Sequence, residues 1–325
     1  MKKKIGLGKK IVIYFLSVIL LILIFLTGII LVLEFGPSKT ARNLFVNSAM
    51  ESSAGKFMAT LFISKSKIKE IQKNNSVEAM KDVTNSDLIE IDSTKDNLDE
   101  IELINIKGST FKGIMAIVHD PSRVTIGVSG PYGPSYSGKT VEDMAKSYNA
   151  VLATNGGGFE DAGGMGNGGT PIGIVISNGK IVYGSENRSY ELIGFDYDNK
   201  LVVGNMTGGQ AINRGVRDAL SFGPILIVNG KPAKINGTGG GLNPRTAIGQ
   251  REDGAVLLLV IDGRQANSLG ASYEDVMNVF LEYKAINAAN LDGGSSSLLY
   301  YKGKYINNSS SLVGAREMPT SIIVR

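Results

Sequence analysis

Residues 272–295 read SYEDVMNVFLEYKAINAANLDGGS, a stretch that combines a helix, a short strand and a glycine turn. Ser272 begins a Ser-x-x-Asp capping box with Asp275, and apolar residues then recur at helical spacing. Residues 287–291 follow as a short apolar strand that ends at Asp292. The stretch therefore predicts a carboxylate at a strand tip, on a loop held by a rigid scaffold, where catalytic groups are commonly displayed.

A similar unit occurs earlier in the chain. Thr140 opens a capped helix, and the apolar residues 150–154 then lead into Asn155-Gly156-Gly157. The polar residue lies about fifteen positions after the cap in this unit and about twenty positions after it in the later one. An internal repeat and convergence on one local design both remain open.

Most of the remaining pattern is typical of strands. Alternating or apolar runs occur at 101–106, 113–119, 123–128, 172–177, 180–183, 192–196, 201–205, 223–228, 245–250 and 255–261. Asn178-Gly179, Asn229-Gly230 and Asp253-Gly254 are tight hairpin signals between them. Such short turns leave no room for the crossover helices of a parallel sheet. We therefore predict an α+β domain with a mixed, largely antiparallel sheet and a few flanking helices.

The N-terminal region predicts a membrane anchor. Residues 11–33 form an uncharged apolar run long enough to cross a bilayer as a helix. Five lysines precede it, so the positive-inside rule predicts a cytoplasmic tail at residues 1–10 and an extracytoplasmic C-terminal part. A cleaved signal peptide is the rival interpretation, but no small-x-small pattern follows the run. We predict a helical stalk and polar linker at 34–97, with spacing as its role, and the folded domain at 98–325.

Composition argues against several classes of protein. The net charge is +4, and removing the five N-terminal lysines from 34 basic residues leaves 29 against 30 acidic ones. No basic surface for nucleic acid is therefore indicated. The chain has no cysteine and a single histidine, His119, so a zinc site is not expected and no metal ligands are predicted. His119 ends an apolar strand outside all of the motifs.

Glycine-rich and charged loops supply the candidate site. Residues 164–169 satisfy G-x-G-x-x-G, but Pro171 and a strand follow instead of a helix, so the dinucleotide interpretation fails. Arg245 lies at the start of a predicted strand, and its planar guanidinium can bind a phosphate or carboxylate through two hydrogen bonds. Asp262 directly follows the next predicted strand. Asp292, Glu160 and Asp161 also lie on glycine-flanked loops. This set provides enough carboxylates for glycoside cleavage, without showing which two face each other.

Five motifs, taken in order, resemble the phosphodiester glycosidase family. They are Asn155-Gly-Gly, FGPILIVNG at 222–230, NPRTAIG at 243–249, Asp262-Gly-Arg264 and NLDGGS at 290–295. The resemblance spans roughly residues 98–325 and implies a hydrolase that releases a sugar from a sugar-1-phosphodiester. It places four residues on the positions expected for catalysis: Asn155, Arg245, Asp262 and Asp292. Substrate binding is assigned to Gly156, Gly157, Phe159, Glu160, Thr246, Arg264, Gly293, Gly294 and Ser295.

The resemblance also indicates a substrate and leaves alternatives. The family usually has two aromatic residues after Asn-Gly-Gly, whereas this chain has Gly158 before Phe159, so one wall of the sugar pocket is missing or is supplied by another residue. The anchor suggests a phosphate-linked cell-envelope or exopolysaccharide glycan as partner, and no cofactor is expected. One alternative is a catalytically silent glycan-binding or exopolysaccharide-assembly protein. Another is a phosphodiesterase that uses Ca²⁺ or Mg²⁺.

Overall fold

Three antiparallel sheets and seven helices make up the part of the chain that the computed structural model describes, namely residues 6–53, 55–92, 94, 98–311 and 314–325. Lys2, Lys3 and Lys4 of the basic tail, and positions 93 and 95–97 of the predicted linker, lie outside the described residues. The helices are α1 (Leu7–Phe35), α2 (Lys39–Met50), α3 (Lys56–Thr60), α4 (Lys65–Asn74), α5 (Val141–Ser147), α6 (Gly208–Asn213) and α7 (Tyr273–Glu282).

The strands are β1 (Ile101–Lys107), β2 (Lys112–Val118), β3 (Val124–Val128), β4 (Leu152–Asn155), β5 (Val175–Ser177), β6 (Lys180–Tyr183), β7 (Ser189–Asp196), β8 (Leu201–Thr207), β9 (Val216–Ser221), β10 (Ile225–Val228), β11 (Lys231–Pro232), β12 (Arg245–Arg251), β13 (Val256–Ile261), β14 (Ala285–Leu291), β15 (Leu299–Tyr301), β16 (Lys304–Tyr305) and β17 (Thr320–Val324). The first sheet has the order β1-β2-β13-β12-β14-β10-β11. The second is β16-β15-β4-β17-β3, and the third is β6-β5-β9-β7-β8.

All pairings between these strands are antiparallel, which confirms the predicted α+β class. The main core lies between the sheets and takes side chains from all three, among them Ile126, Phe195 and Leu258. Strand β13 is buried along its whole length, because α7 and its neighbours cover the opposite face of the first sheet. Strands β12 and β14 pair within this sheet, and the Asp292 amide donates to the Gly156 carbonyl at 3.0 Å, so the ends of β4, β12 and β14 lie close together.

The local signals around the two capped helices are confirmed. The Ser272 hydroxyl accepts a hydrogen bond from the Asp275 amide at 3.1 Å, and the Asp275 carboxylate accepts one from the Ser272 amide at 2.8 Å. Thr140 caps α5 in the same way, through the amide of Asp143. Strand β9 was not predicted from the sequence, because its pattern contains Arg217 and a buried Asp218 that pair with each other at 2.6 Å.

Helix α1 is long and apolar enough to cross a membrane, and its most apolar stretch has no buried residue. A signal sequence near an N-terminus satisfies the same criteria. Lys9 and Lys10 lie in its first turns and are exposed. The finding supports a candidate membrane span at the predicted position.

The segment between α1 and the sheets packs against the domain. Buried residues of α2, α3 and α4 form a small core of their own, which includes Val46, Ile68 and Ile71. The Ser48 hydroxyl accepts a hydrogen bond from the amide of Leu242 at 2.8 Å. Further along, the amide of Thr84 donates to the Val203 carbonyl at 3.0 Å. The described part of residues 34–97 therefore packs on the sheets and is more than a spacer. The domain boundary at residue 98 remains a prediction.

Candidate active site

The candidate site lies where three strands of two sheets meet. Asn155 ends β4, Arg245 begins β12, and Asp292 directly follows β14. Because Thr246 pairs with Leu291 in the antiparallel register, Arg245 and Asp292 are brought to the same edge. A cavity of ≈ 560 Å³ opens there, and it is lined by Asp292, Arg245 and the glycine turn after Asp292.

Asp292 is a half-buried carboxylate that lines this cavity. Burial raises its pKa to about 6, although hydrogen bonds from the Ser296 hydroxyl and the Gly293 amide and the charge of Arg316 act in the opposite direction. The nearby Asp161 raises the pKa further. Asp292 is therefore mostly ionised at neutral pH and can take up a proton in mildly acidic solution.

Arg245 is buried, and its guanidinium has a fixed orientation. Its Nε donates to the Ala271 carbonyl at 3.0 Å, and its Nη2 donates to the Gly241 carbonyl at 2.7 Å. The guanidinium carbon lies 3.9 Å from the centre of the Tyr273 ring. These contacts hold the cation at the cavity wall, where Nη2 also donates a hydrogen bond to Glu51.

Glu51 comes from the segment before the sheets and occupies an anion-binding position. Its carboxylate accepts hydrogen bonds from Arg245 Nη2 at 2.7 Å, Asn243 Nδ2 at 2.9 Å and the Gly241 amide at 3.1 Å. Three converging donors from one loop and strand form a site for a small anion. Since 24% of the Glu51 side chain is exposed, this carboxylate has an open side toward solvent.

Two more arginines face the cavity. Arg264 donates to the Asn243 side-chain oxygen at 2.8 Å and lies over the turn at Gly294. Its direct hydrogen bond goes to an amide, so among the described residues its charge is not directly paired with a carboxylate. Arg316 instead forms two hydrogen bonds with Asp161, at 3.0 and 2.8 Å, and its guanidinium lies 4.8 Å from the centre of the Phe159 ring.

Asn155 and Thr246, both predicted for the site, lie behind the cavity wall. Both are buried, and the Thr246 hydroxyl donates to Asn155 Oδ1 at 2.8 Å. Asn155 Nδ2 donates to the backbone carbonyl of Asp292 at 2.5 Å. This geometry favours a positioning role, because Asn155 connects β4 and β12 to the loop that carries Asp292.

Asp262 and several of the predicted binding residues also lie outside the cavity lining. The Asp262 carboxylate accepts hydrogen bonds from the Asn308 amide at 3.0 Å and from Asn307 Nδ2 at 3.1 Å. Glu160 is exposed outside the lining. A Cβ on Gly156 would come within 2.9 Å of the Thr320 backbone. Gly156 and its neighbour Gly157 therefore serve close packing of the chain, whereas Phe159, Arg264, Gly293, Gly294 and Ser295 do line the cavity.

Phe222 supplies an aromatic wall beside Gly158. A Cβ on Gly158 would lie 2.7 Å from the Phe222 ring, so the ring occupies the space that a side chain at 158 would need. Phe222 lines the cavity and packs on the main core. The sequence contained the residue in the motif at 222–230 but gave no signal for its position.

Asn290 lines the cavity and has a buried side-chain oxygen. Its Nδ2 donates to the carbonyls of Gly223 at 3.0 Å and Leu291 at 2.8 Å, which fixes the orientation of the amide. Its Oδ1 has no hydrogen-bond partner among the described residues. A buried unpaired acceptor is costly, so a bound molecule that donates to it is favoured.

The described residues show no group of three His, Cys, Asp or Glu side chains placed to hold a metal ion. His119 lies outside the site, where its Nε2 is 2.7 Å from Glu102 Oε1. Sequence reasoning did not assign six residues of the site: Glu51, Phe222, Asn243, Tyr273, Asn290 and Arg316. Phe222, Asn243 and Asn290 lay inside the quoted motifs, and Asn243 and Asn290 each lie two positions before an assigned residue.

The antiparallel α+β scaffold thus presents a half-buried carboxylate and an arginine-bound anion site in one cavity. Residues 148–325 match the phosphodiester glycosidase family, and because this is more than half of the chain, the protein belongs to that family. Among curated relatives, the chain is 35% identical over 182 residues to the SPbeta prophage-derived uncharacterized protein YomE of Bacillus subtilis, covering 53% of this chain and 27% of that one.

The chain is also similar to named enzymes. It is 28% identical over 201 residues to the bovine N-acetylglucosamine-1-phosphodiester alpha-N-acetylglucosaminidase, covering 55% of this chain and 37% of that protein. The chain thus spans well under half of these two curated relatives. The solved catalytic domain of the zebrafish enzyme, auto-inhibited by its pro-peptide, shares the fold with a TM-score of 0.59 and 24% identity over 75% of this chain and 87% of that one.

Proposed function

We propose that the protein is an extracytoplasmic hydrolase that releases a sugar from a sugar-1-phosphodiester in a cell-envelope or exopolysaccharide glycan. One observation carries the proposal: Asp292, Arg245 and Asn243 line one cavity, and the last two residues form an anion site together with the Gly241 amide. A phosphodiester needs both a cationic cradle for its phosphate and a carboxylate near its anomeric carbon.

In the proposed reaction the phosphate takes the place of the Glu51 carboxylate, and the sugar lies toward Asp292. The bond between the anomeric carbon and the phosphate oxygen breaks, and water adds to the carbon. The phosphate leaves as a monoester stabilised by Arg245, with Arg264 nearby. Because phosphate is a good leaving group, strong general-acid help is not required. Ionised Asp292 then stabilises the oxocarbenium-like centre or activates the water.

We further propose that the structure represents a self-occluded state. Glu51 caps the C-terminal end of α2, so its side chain can turn toward solvent while the helix remains packed. A substrate phosphate must displace the carboxylate from its three donors. The pro-peptide inhibition named for the zebrafish enzyme supports this arrangement as a proposal for the present chain.

The proposed location follows from α1. As a membrane-spanning helix with its lysines on the cytoplasmic side, it would place the domain on the outer face. Such a position gives access to envelope glycans. We expect the proposed activity to need no nucleic acid, no cofactor and no metal.

The test is release of free sugar from a panel of sugar-1-phosphodiesters by the full chain in detergent. Asp292→Asn and Arg245→Ala are the site variants, and Glu142→Gln, on the exposed face of α5, is the control. We expect cleavage by the parent and the control and loss in both site variants. Normal turnover in Asp292→Asn would refute the site.

Occupation of the anion site by Glu51 also favours a second candidate, a catalytically silent glycan-binding protein. Binding of panel members without cleavage, by both the parent and Glu51→Ala, would support this candidate over the enzyme.

A further inference from the structure

A second cavity of ≈ 760 Å³ adjoins the site. The N-terminal segment forms one wall with Asn47 and Gln72, and the third sheet forms the opposite wall with Tyr190, Glu191 and Asn205. We call this cavity the outer groove. None of the predicted site residues lines it.

The outer groove and the active-site cavity share four lining residues: Glu51, Ile172, Phe222 and Tyr273. The anion site therefore lies at the junction of the two cavities, with Glu51 between them. A phosphodiester carries one substituent on each side of its phosphate. When the phosphate replaces the Glu51 carboxylate and the sugar faces Asp292, the outer groove is left for the second substituent.

Asn47 gives the outer groove an unmet hydrogen-bonding requirement. It is only 3% exposed, and its Nδ2 has no partner among the described residues. An unpaired buried donor is unfavourable, so an acceptor on an occupant of the groove would satisfy it. Asn47 lies one turn before Glu51 on α2, and the two residues therefore share a face of the helix.

Glu191 adds a second polar group on the opposite wall. It accepts a hydrogen bond from the Ile225 amide, and its carboxyl lies so close to Gly223 that a Cβ there would collide with it. Burial raises the pKa of this half-buried carboxyl. Carboxyl and amide groups beside the rings of Phe222 and Tyr190 suit a ligand with many hydroxyls and apolar ring or chain faces.

We propose that the outer groove is a subsite for the group esterified on the far side of the phosphate, and that this group is a sugar or polyol. The proposal rests on the proposed function and extends it to the leaving group. Asn47 and Glu191 hydrogen-bond the hydroxyls of that group, and Phe222 separates it from the sugar that is released.

The test uses full-length Asp292→Asn, which is not expected to turn over ligand. Its affinity is measured by titration calorimetry for one sugar-1-phosphate esterified either with methanol or with glycerol or a hexose. We expect the hydroxyl-rich esters to bind about tenfold more tightly. Adding Asn47→Ala with Glu191→Gln should bring the ratio of the two dissociation constants close to one, whereas adding the control Glu142→Gln should preserve it.

Two results would overturn the subsite. One is equal affinity for the methyl and hydroxyl-rich esters, and the other is an unchanged ratio after the groove substitutions. Affinity that falls in step for both esters would also count against it, because that indicates general damage. Failure of the proposed function shows separately, as absence of sugar release by the parent despite retained binding of the esters.

Discussion

At the level of single residues, the proposed chemistry depends on the protonation of Asp292. Its pKa is raised to about 6 by burial, and the proposed mechanism uses the ionised form. We therefore expect kcat/KM to rise with pH to a plateau, with a midpoint near 6. A pH profile on a sugar-1-phosphodiester measures this, and a rate that falls with rising pH through the same range would show that the protonated form acts.

The same residue links stability to pH. Because the folded pKa is above the usual 3.8, the folded state binds more protons than the unfolded state between about pH 4 and 6, and stability falls as pH rises through that range. The loss is at most about 3 kcal/mol. We expect Asp292→Asn to gain melting temperature relative to the parent between pH 4 and 7. The exposed control Asp99→Asn should give a constant difference.

Substitution of Glu51 is expected to improve substrate binding, whereas the substitutions of Asp292 and Arg245 are expected to remove activity. Removal of the Glu51 carboxylate frees the anion site, so Glu51→Ala should lower KM for the substrate several-fold, which steady-state kinetics would measure. Glu70→Ala, at an exposed glutamate of α4, is the matched control. A loss of activity in Glu51→Ala as large as that in Arg245→Ala would instead make Glu51 a required member of the site.

At the level of elements, Asn155 joins three strand ends. Its hydrogen bonds to Thr246 and to the Asp292 carbonyl are buried, so Asn155→Ala leaves polar groups unpaired. We expect a loss of about 2 kcal/mol in unfolding free energy, with reduced kcat. Thermal and urea unfolding measure the first, and the exposed Asn187→Ala should be neutral. An unchanged melting temperature together with lost activity would indicate direct contact with substrate.

Local signals in the sequence predicted those elements that depend on neighbouring residues. The cap of α7, the glycine turn after Asp292 and most hairpins follow from short-range rules, and they are confirmed. The remaining members of the site come from long-range contacts: Glu51 meets Arg245 across 194 positions. No periodicity or motif marks such a pair, because only the folded packing of α2 brings the two together.

At the level of the whole molecule, the absence of cysteine allows a direct test of orientation. A single cysteine at exposed Asn187 should react with a membrane-impermeant thiol reagent in intact cells, whereas one at Gly8, at the start of α1, should react only after lysis. Both should be labelled in detergent, which serves as the control. Labelling of Gly8→Cys in intact cells would reverse the proposed topology.

The short connection between α1 and α2 determines how far the site can work from a bilayer. Only residues 36–38 separate the two helices, and α2 spans roughly 18 Å from its start to its end next to Glu51. With α1 in a membrane, the junction of the two cavities stays within a few nanometres of the lipid headgroups. The proposed activity would then be confined to a thin layer next to the membrane, and its rate would depend on the surface density of membrane-proximal glycan rather than on its bulk concentration.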